Sequence, residues 1–160
     1  MPGVHSYNES HPMTQSGSEL ASGQIVDSML ELARCSKRHR ILVSGSHSPQ
    51  LMKGLHRRGY YRVDTTASCG LPHGQYHVAL VNWHGHSVKA LAATLQWLVH
   101  FLASSAVLVV WVDGREAACN RLLQSMLERF GFQVEVGTRR ADGIGILACR
   151  RDYAAAAMAA

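Results

Sequence analysis

Three short apolar runs constrain this chain more than any other feature: ILVSG at 41–45, YHVALVNW at 76–83 and AVLVVWV at 106–112. Each is nearly continuous rather than alternating. Such runs belong to strands buried on both faces, the condition of a parallel sheet with helices on each side. Segments of helical character lie between and around them. SELASGQIVDSMLELARC (18–35) places Leu20, Ile25, Met29, Leu30, Leu32 and Ala33 close to a 3.6-residue period. After the first run, Ser48 is an expected N-cap and Pro49 an expected first helical residue, where its missing N–H costs nothing. That helix should stop at Gly59.

YYRVDTTA (60–67) reads as a second strand. Ser87 should cap a helix from Val88 to Ser104. Asp113 and Glu116 have capping-box spacing for a helix that ends at Gly131. FQVEVGTR and GIGILACRR flank an Asp-Gly pair, the signature of a hairpin. Strands alternating with helices predict an α/β protein of three layers, Rossmann-like, with right-handed crossovers. Its sheet is mostly parallel, with an antiparallel hairpin at the C-terminus.

The 160 residues suffice for one domain, expected over 19–152 with the helix 19–35 packed on it. Residues 1–18 form a polar tail rich in Ser and His, expected to be disordered, and 153–160 an Ala-rich tail. No run reaches the roughly 20 apolar residues that span a bilayer. The N-terminus lacks the apolar segment of a secretory signal. Cys35, Cys69, Cys119 and Cys149 are far apart with no CxxC pair. They read as reduced thiols of a cytoplasmic protein rather than a zinc or disulfide scaffold.

Open α/β sheets bind ligands outside the carboxyl ends of their strands, at the point where strand order reverses. In the predicted sheet that point lies between the first and third strands. The turn VSGSHSP would then face NWHGH across it. Ser44, Ser46 and Ser48 offer hydroxyls for a carboxylate, ribose or phosphate beside a helix start that favours negative charge. Against this, Ser48 would merely cap the helix while the other two face water. Asp64 is either a ribose ligand or an exposed strand-end carboxylate. Asn82 can accept a hydrogen bond from a substrate amine, Trp83 can stack, and His84 or His86 can act as a base near neutral pH. The same segment also reads as an ordinary polar loop. The His-x-His spacing would suit a metal only with further ligands, and none follows at a matching spacing. No metal is expected.

The run from Arg40 to Arg151 resembles the class I S-adenosylmethionine-dependent methyltransferase fold. The resemblance rests chiefly on MLERFGFQVEVGTRRADGIGILACRR, which looks like that fold's closing helix and antiparallel hairpin. RILVSGS sits where the family carries its first glycine-rich motif. By this resemblance Ser44, Gly45, Ser46 and His47 would bind S-adenosylmethionine or S-adenosylhomocysteine. Asp64 would hold the ribose hydroxyls, and Asn82, Trp83 and His84 would be catalytic. The motif departs from the family in having one glycine and no acid. A strand and helix that usually follow strand two are missing, so the fold is methyltransferase-like with a shortened middle. Only residues 67–76 make that link, and about ten residues extend at most roughly 33–36 Å.

The chain also resembles a response-regulator receiver, but the phospho-acceptor position holds Asn82, a poor nucleophile. Two functions follow. One is cofactor binding with methyl transfer. The other is a non-enzymatic module, a degenerate methyltransferase or pseudo-receiver, for dimerisation or docking.

Net charge is +5. That permits nucleic acid, anionic lipid or an acidic protein and selects none. In the predicted sheet Arg40, Arg57, Arg58, Arg62, Arg150 and Arg151 share the amino-terminal edge. They either complement helix dipoles or form a docking face for an acidic partner. No recognition helix or RNA-binding motif singles out nucleic acid. The Val88–Ser104 segment is apolar nearly all round, with Leu91, Leu95, Leu98 and Leu102 in one stripe and Trp97 and Phe101 in another. Its second face would pack on the N-terminal segment or on another copy, as a homodimer.

Overall fold

A computed structural model describes residues 13–67, 74–83, 87–112, 117–140 and 143–150. His84, His86, the Asp113–Glu116 capping box, Cys69, Arg151 and both tail ends lie outside them. The element order is α1 (Met13–Ala33), β1 (Ile41–Gly45), α2 (Ser48–Arg57), β2 (Val63–Thr65), β3 (Tyr76–Trp83), α3 (Val88–Leu98), a 3₁₀ turn (Val99–Phe101), β4 (Leu102–Val112), α4 (Ala117–Arg129), β5 (Phe132–Arg140) and β6 (Gly143–Arg150). The six strands lie in the order β2-β1-β3-β4-β6-β5. β2, β1, β3 and β4 are parallel, and β6 runs antiparallel to both β4 and β5. This is the expected three-layer architecture, with its reversal of strand order between β1 and β3.

Each face of the sheet has its own core, because alternate residues of a strand point to opposite sides. Leu42, Ala79, Val81, Leu108 and Val110 pack beneath α3 and α4 through Leu91, Leu95, Leu123 and Leu127. Ile41, Val43, Leu80, Val109 and Trp111 pack beneath α1 and α2 through Met29, Leu51 and Leu55. Met29 is fully buried, and truncating such a side chain to Ala costs about 2–5 kcal/mol. Close packing over β6 requires Gly145. A Cβ there would meet Leu32 Cδ1 at 2.8 Å and the Trp111 ring at 3.0 Å.

Four local expectations change. The helix expected over 88–104 ends at Leu98, and after one 3₁₀ turn the chain enters β4 at Leu102. Apolar runs of a buried helix and a buried strand merge in WLVHFLASSAVLVV, and pairing of Leu102 with Tyr76 draws the boundary. Leu102 is buried in the sheet instead of completing a helical stripe, while Trp97 and Phe101 do meet, with ring centroids 4.5 Å apart. Ser48 is not the N-cap: His47 takes that position with φ 56°, and Ser48 Oγ donates back to the Gly45 carbonyl at 2.9 Å. β2 is only three residues long and leaves Tyr60 and Tyr61 outside it. Finally, α1 begins at Met13, inside the stretch expected to be a tail. Gly59 (φ 87°) and Gly131 (φ 88°) end α2 and α4 in the left-handed conformation, as their positions predicted.

No described helix is long and apolar enough to cross a membrane.

Candidate functional site

The β1–α2 turn crosses the end of β3. Gly45 is in register with Asn82, and the Ser46 N–H donates to the Asn82 carbonyl at 2.6 Å. A Cβ on Gly45 would overlap that carbonyl oxygen, and φ at Gly45 is 93°. Both facts demand glycine here. His47 follows in the left-handed region, and its carbonyl accepts the Leu51 N–H at 3.0 Å to start α2.

A cavity opens on each side of this turn. On the α3 side is a cleft of about 530 Å³. It is lined by Ser44, Gly45 and Ser46 of the turn, Thr66 and Ala67 after β2, Trp83 at the end of β3, and Thr94 and Trp97 of α3. Ser44 is buried, and Trp97 is 43% exposed. The second cavity, about 430 Å³, lies between α1 and α2 and is bordered by His47, Gln50, Leu51, Lys53 and Asn82. Asn82 Oδ1 is buried there with no hydrogen-bond donor among the described residues. On the neighbouring strand Trp111, in register with Asn82, has a buried Nε1 that likewise lacks a partner. The two orphan groups belong to neighbouring strands, and the Trp111 N–H lies on the β6 side, over Gly143. Each such buried group costs about 1–3 kcal/mol unless a ligand or water satisfies it.

The expected site residues divide between these spaces. Ser44, Gly45, Ser46 and Trp83 border the cleft. His47 and Asn82 border the α1–α2 cavity, because strand alternation sends Asn82 and Trp83 to opposite faces. His84 lies outside the described residues. Asp64 borders neither space. It points along the sheet toward Tyr76, whose phenol donates to Asp64 Oδ2 at 2.7 Å. At the end of β2 it is Thr66 that reaches the cleft. Thr66, Thr94 and Trp97 escaped sequence reasoning. Trp97 carried a signal, since an aromatic on the outer side of a buried helix needs somewhere to go.

Neither thiol with described surroundings is placed as a nucleophile. Burial pushes Cys35 up to about 11. Cys149 is raised by burial and by Glu135. Among the described residues no group of His, Cys, Asp and Glu could hold a metal.

No protein-family profile and no curated protein matches the chain in sequence. Solved structures do match in fold. A SAM-dependent methyltransferase from Aquifex aeolicus is 13% identical with a TM-score of 0.54, covering 84% of this chain and 93% of that one. A precorrin-6y C5,15-methyltransferase from Geobacter metallireducens GS-15 is 14% identical with a TM-score of 0.53, covering 79% and 87%. The cyclase SpnF is 14% identical with a TM-score of 0.57, covering 82% of each chain. One of these is named for a reaction other than methyl transfer, and identity this low speaks for the fold alone. On topology, terminal hairpin and these neighbours together, the chain has the class I S-adenosylmethionine-dependent methyltransferase fold in a divergent form.

Proposed function

We propose that the protein binds S-adenosylmethionine and its demethylated product S-adenosylhomocysteine across the β1–α2 turn, and serves methyl transfer. The observation that carries this reading is the pair of unlike cavities flanking Gly45. The cleft has aromatic and small apolar walls with hydroxyls at Ser46, Thr66 and Thr94. Those groups suit a nucleoside: ring faces for a base and hydroxyls for a ribose. The α1–α2 cavity has polar and cationic groups and the orphan acceptor Asn82 Oδ1. Those suit an amino-acid end, with Asn82 Oδ1 taking an N–H donor and His47 or Lys53 facing a carboxylate. A ligand with both ends would lie over Gly45, where the lack of a side chain leaves the turn low.

S-Adenosylmethionine, when bound, supplies an electrophilic methyl group. The chain's own contribution is to hold the two ends and to exclude water with Trp83 and Trp97. Thr66 borders the cleft and Asp64 does not, so in this reading ribose recognition rests on a neutral hydroxyl.

Calorimetric titration tests the reading. Micromolar affinity for both compounds is expected, accompanied by a change in tryptophan fluorescence from Trp83 and Trp97. Absence of heat at millimolar ligand would leave the fold without its cofactor.

A further inference from the structure

The rim opposite the cleft carries several donors and rings. At the entrance to β2, Tyr61 is 76% exposed, and its ring lies 6.2 Å from that of His56. The neighbouring residue, Arg62, donates to the Arg38 carbonyl at 3.4 Å, which ties β2's entrance to β1's. Lys37 lies over Gly59, its Nζ 3.2 Å from where a Cβ would stand. At the entrance to β1, His39 and His77 face each other with centroids 5.5 Å apart. Nδ1 of each accepts a main-chain N–H, from Ser36 and Arg40 respectively. With Nδ1 accepting, the ring proton of each sits on Nε2. Arg40 donates to Gln75 Oε1 at 3.2 Å.

Helix-dipole complementation explains Arg57, in the last turn of α2. It does not explain Lys37, Arg38, Arg40 and Arg62, which lie in no helix. Among the described residues the sole ion pair is Arg58 to Asp27, so no described carboxylate neutralises these four. Arg58 itself is committed to joining α1 and α2, donating to the Gly54 and Gly23 carbonyls as well.

We propose that this edge binds single-stranded nucleic acid, with Tyr61 stacking on a base and Lys37, Arg62 and Arg40 following the phosphates. A cationic track alone would serve an acidic protein equally well. The exposed ring decides between them. Tyr60 turns inward, its hydroxyl donating to the Cys35 carbonyl at 3.4 Å, whereas Tyr61 stands in solvent with His56 beside its ring. A strand of nucleotides offers a π-face and a charge at every step, which is how non-sequence-specific single-strand binders work. Carboxylates of a peptide would engage the cations and leave the ring idle. Duplex would hide its bases from it.

Fluorescence anisotropy with labelled oligouridine, on the full chain, tests this. Binding is expected at low salt and should weaken steeply as salt rises. Arg62→Ala and Lys37→Ala should each lower the log–log salt slope by about 0.7. Tyr61→Ala should weaken binding by roughly 10-fold at unchanged slope, and Tyr61→Phe should retain affinity. These side chains are exposed, so the variants should keep the parent's thermal melt. No binding at low salt would overturn the proposal. So would Tyr61→Ala binding like the parent, or a glutamate-rich peptide or a duplex binding as tightly as the single strand. Because the two rims are opposite, cofactor titration should be indifferent to all of these variants.

Discussion

Tyr76 and Asp64 lie on strands that do not touch, yet the phenol of one donates to the carboxylate of the other at 2.7 Å. β1 separates β2 from β3 in the sheet. The bond therefore bridges a whole strand, over the face that also buries Leu42. Tyr76 is fully buried, so its hydroxyl needs a partner.

That bridge gives Asp64 a bond within the fold. A hydrogen bond to a charged acceptor contributes about 1.5–3 kcal/mol. Tyr76→Phe should lower the free energy of unfolding by roughly 1–2 kcal/mol, measured by urea denaturation. It should leave the affinity for S-adenosylhomocysteine within about twofold. Thr66→Val should do the reverse, weakening the ligand with stability nearly unchanged. If Tyr76→Phe abolished binding and Thr66→Val did not, Asp64 would regain the ribose role.

Gly45→Ala is predicted to be severe. The new methyl would overlap the Asn82 carbonyl oxygen, and alanine would be strained at φ 93°. Strain of that kind costs about 1–3 kcal/mol before any displacement of β3. A loss of about 3 kcal/mol is expected, together with loss of ligand binding, because the turn would lift away from Asn82. A variant as stable as the parent would mean that the turn is not held as described.

Trp97 lines the cleft from the exposed side of α3. It is 43% exposed and rests on Phe101. Trp97→Ala should change stability by about 1 kcal/mol or less, as partly exposed positions do. It should weaken the nucleoside end of the ligand and remove part of the fluorescence response. Trp111 is fully buried away from the cleft and should report unfolding but not ligand. Equal responses from the parent and Trp97→Ala would exclude Trp97 from the site.

Much of this geometry was readable in the residues. The strand YHVALVNW begins and ends where its apolar run does, because burial on both faces leaves no other arrangement. Its placement beside β1 brought Gly45 and Asn82 together. What could not be read was direction. Strand alternation divides Asn82 from Trp83, but the sequence does not say which face holds a cavity. Asp64 lies two positions before Thr66, the residue that borders the cleft just beyond the end of the three-residue β2. Its partner Tyr76 is a long-range contact with no local trace. The boundary at Leu102 was hidden because a buried helix and a buried strand use the same residues. Tyr61 was counted as strand, so its exposure, on which the nucleic-acid proposal turns, emerged only from the fold.

The amino-terminal rim also makes a pH prediction. The pKa of His77 is lowered from its ordinary value of 6.5, first by desolvation, then by His39, Arg40 and Arg62. A histidine with a depressed native pKa binds its proton more readily when unfolded. Stability then rises with pH wherever the unfolded chain holds more protons. The contribution of His77 is present above about pH 6.5 and is lost as pH falls from there toward the lowered native value. Protonation would also end the acceptance of the Arg40 N–H by Nδ1. His77→Gln keeps an acceptor and removes the titration. Between pH 7.5 and 5.5 the parent should therefore lose more thermal stability than His77→Gln, in scans at equal ionic strength. A bound polyanion would offset the repulsion from Arg40 and Arg62 and raise the His77 pKa, which NMR titration of the imidazole would follow. Parallel melting curves for the two proteins would show that the rim does not disfavour the charged ring.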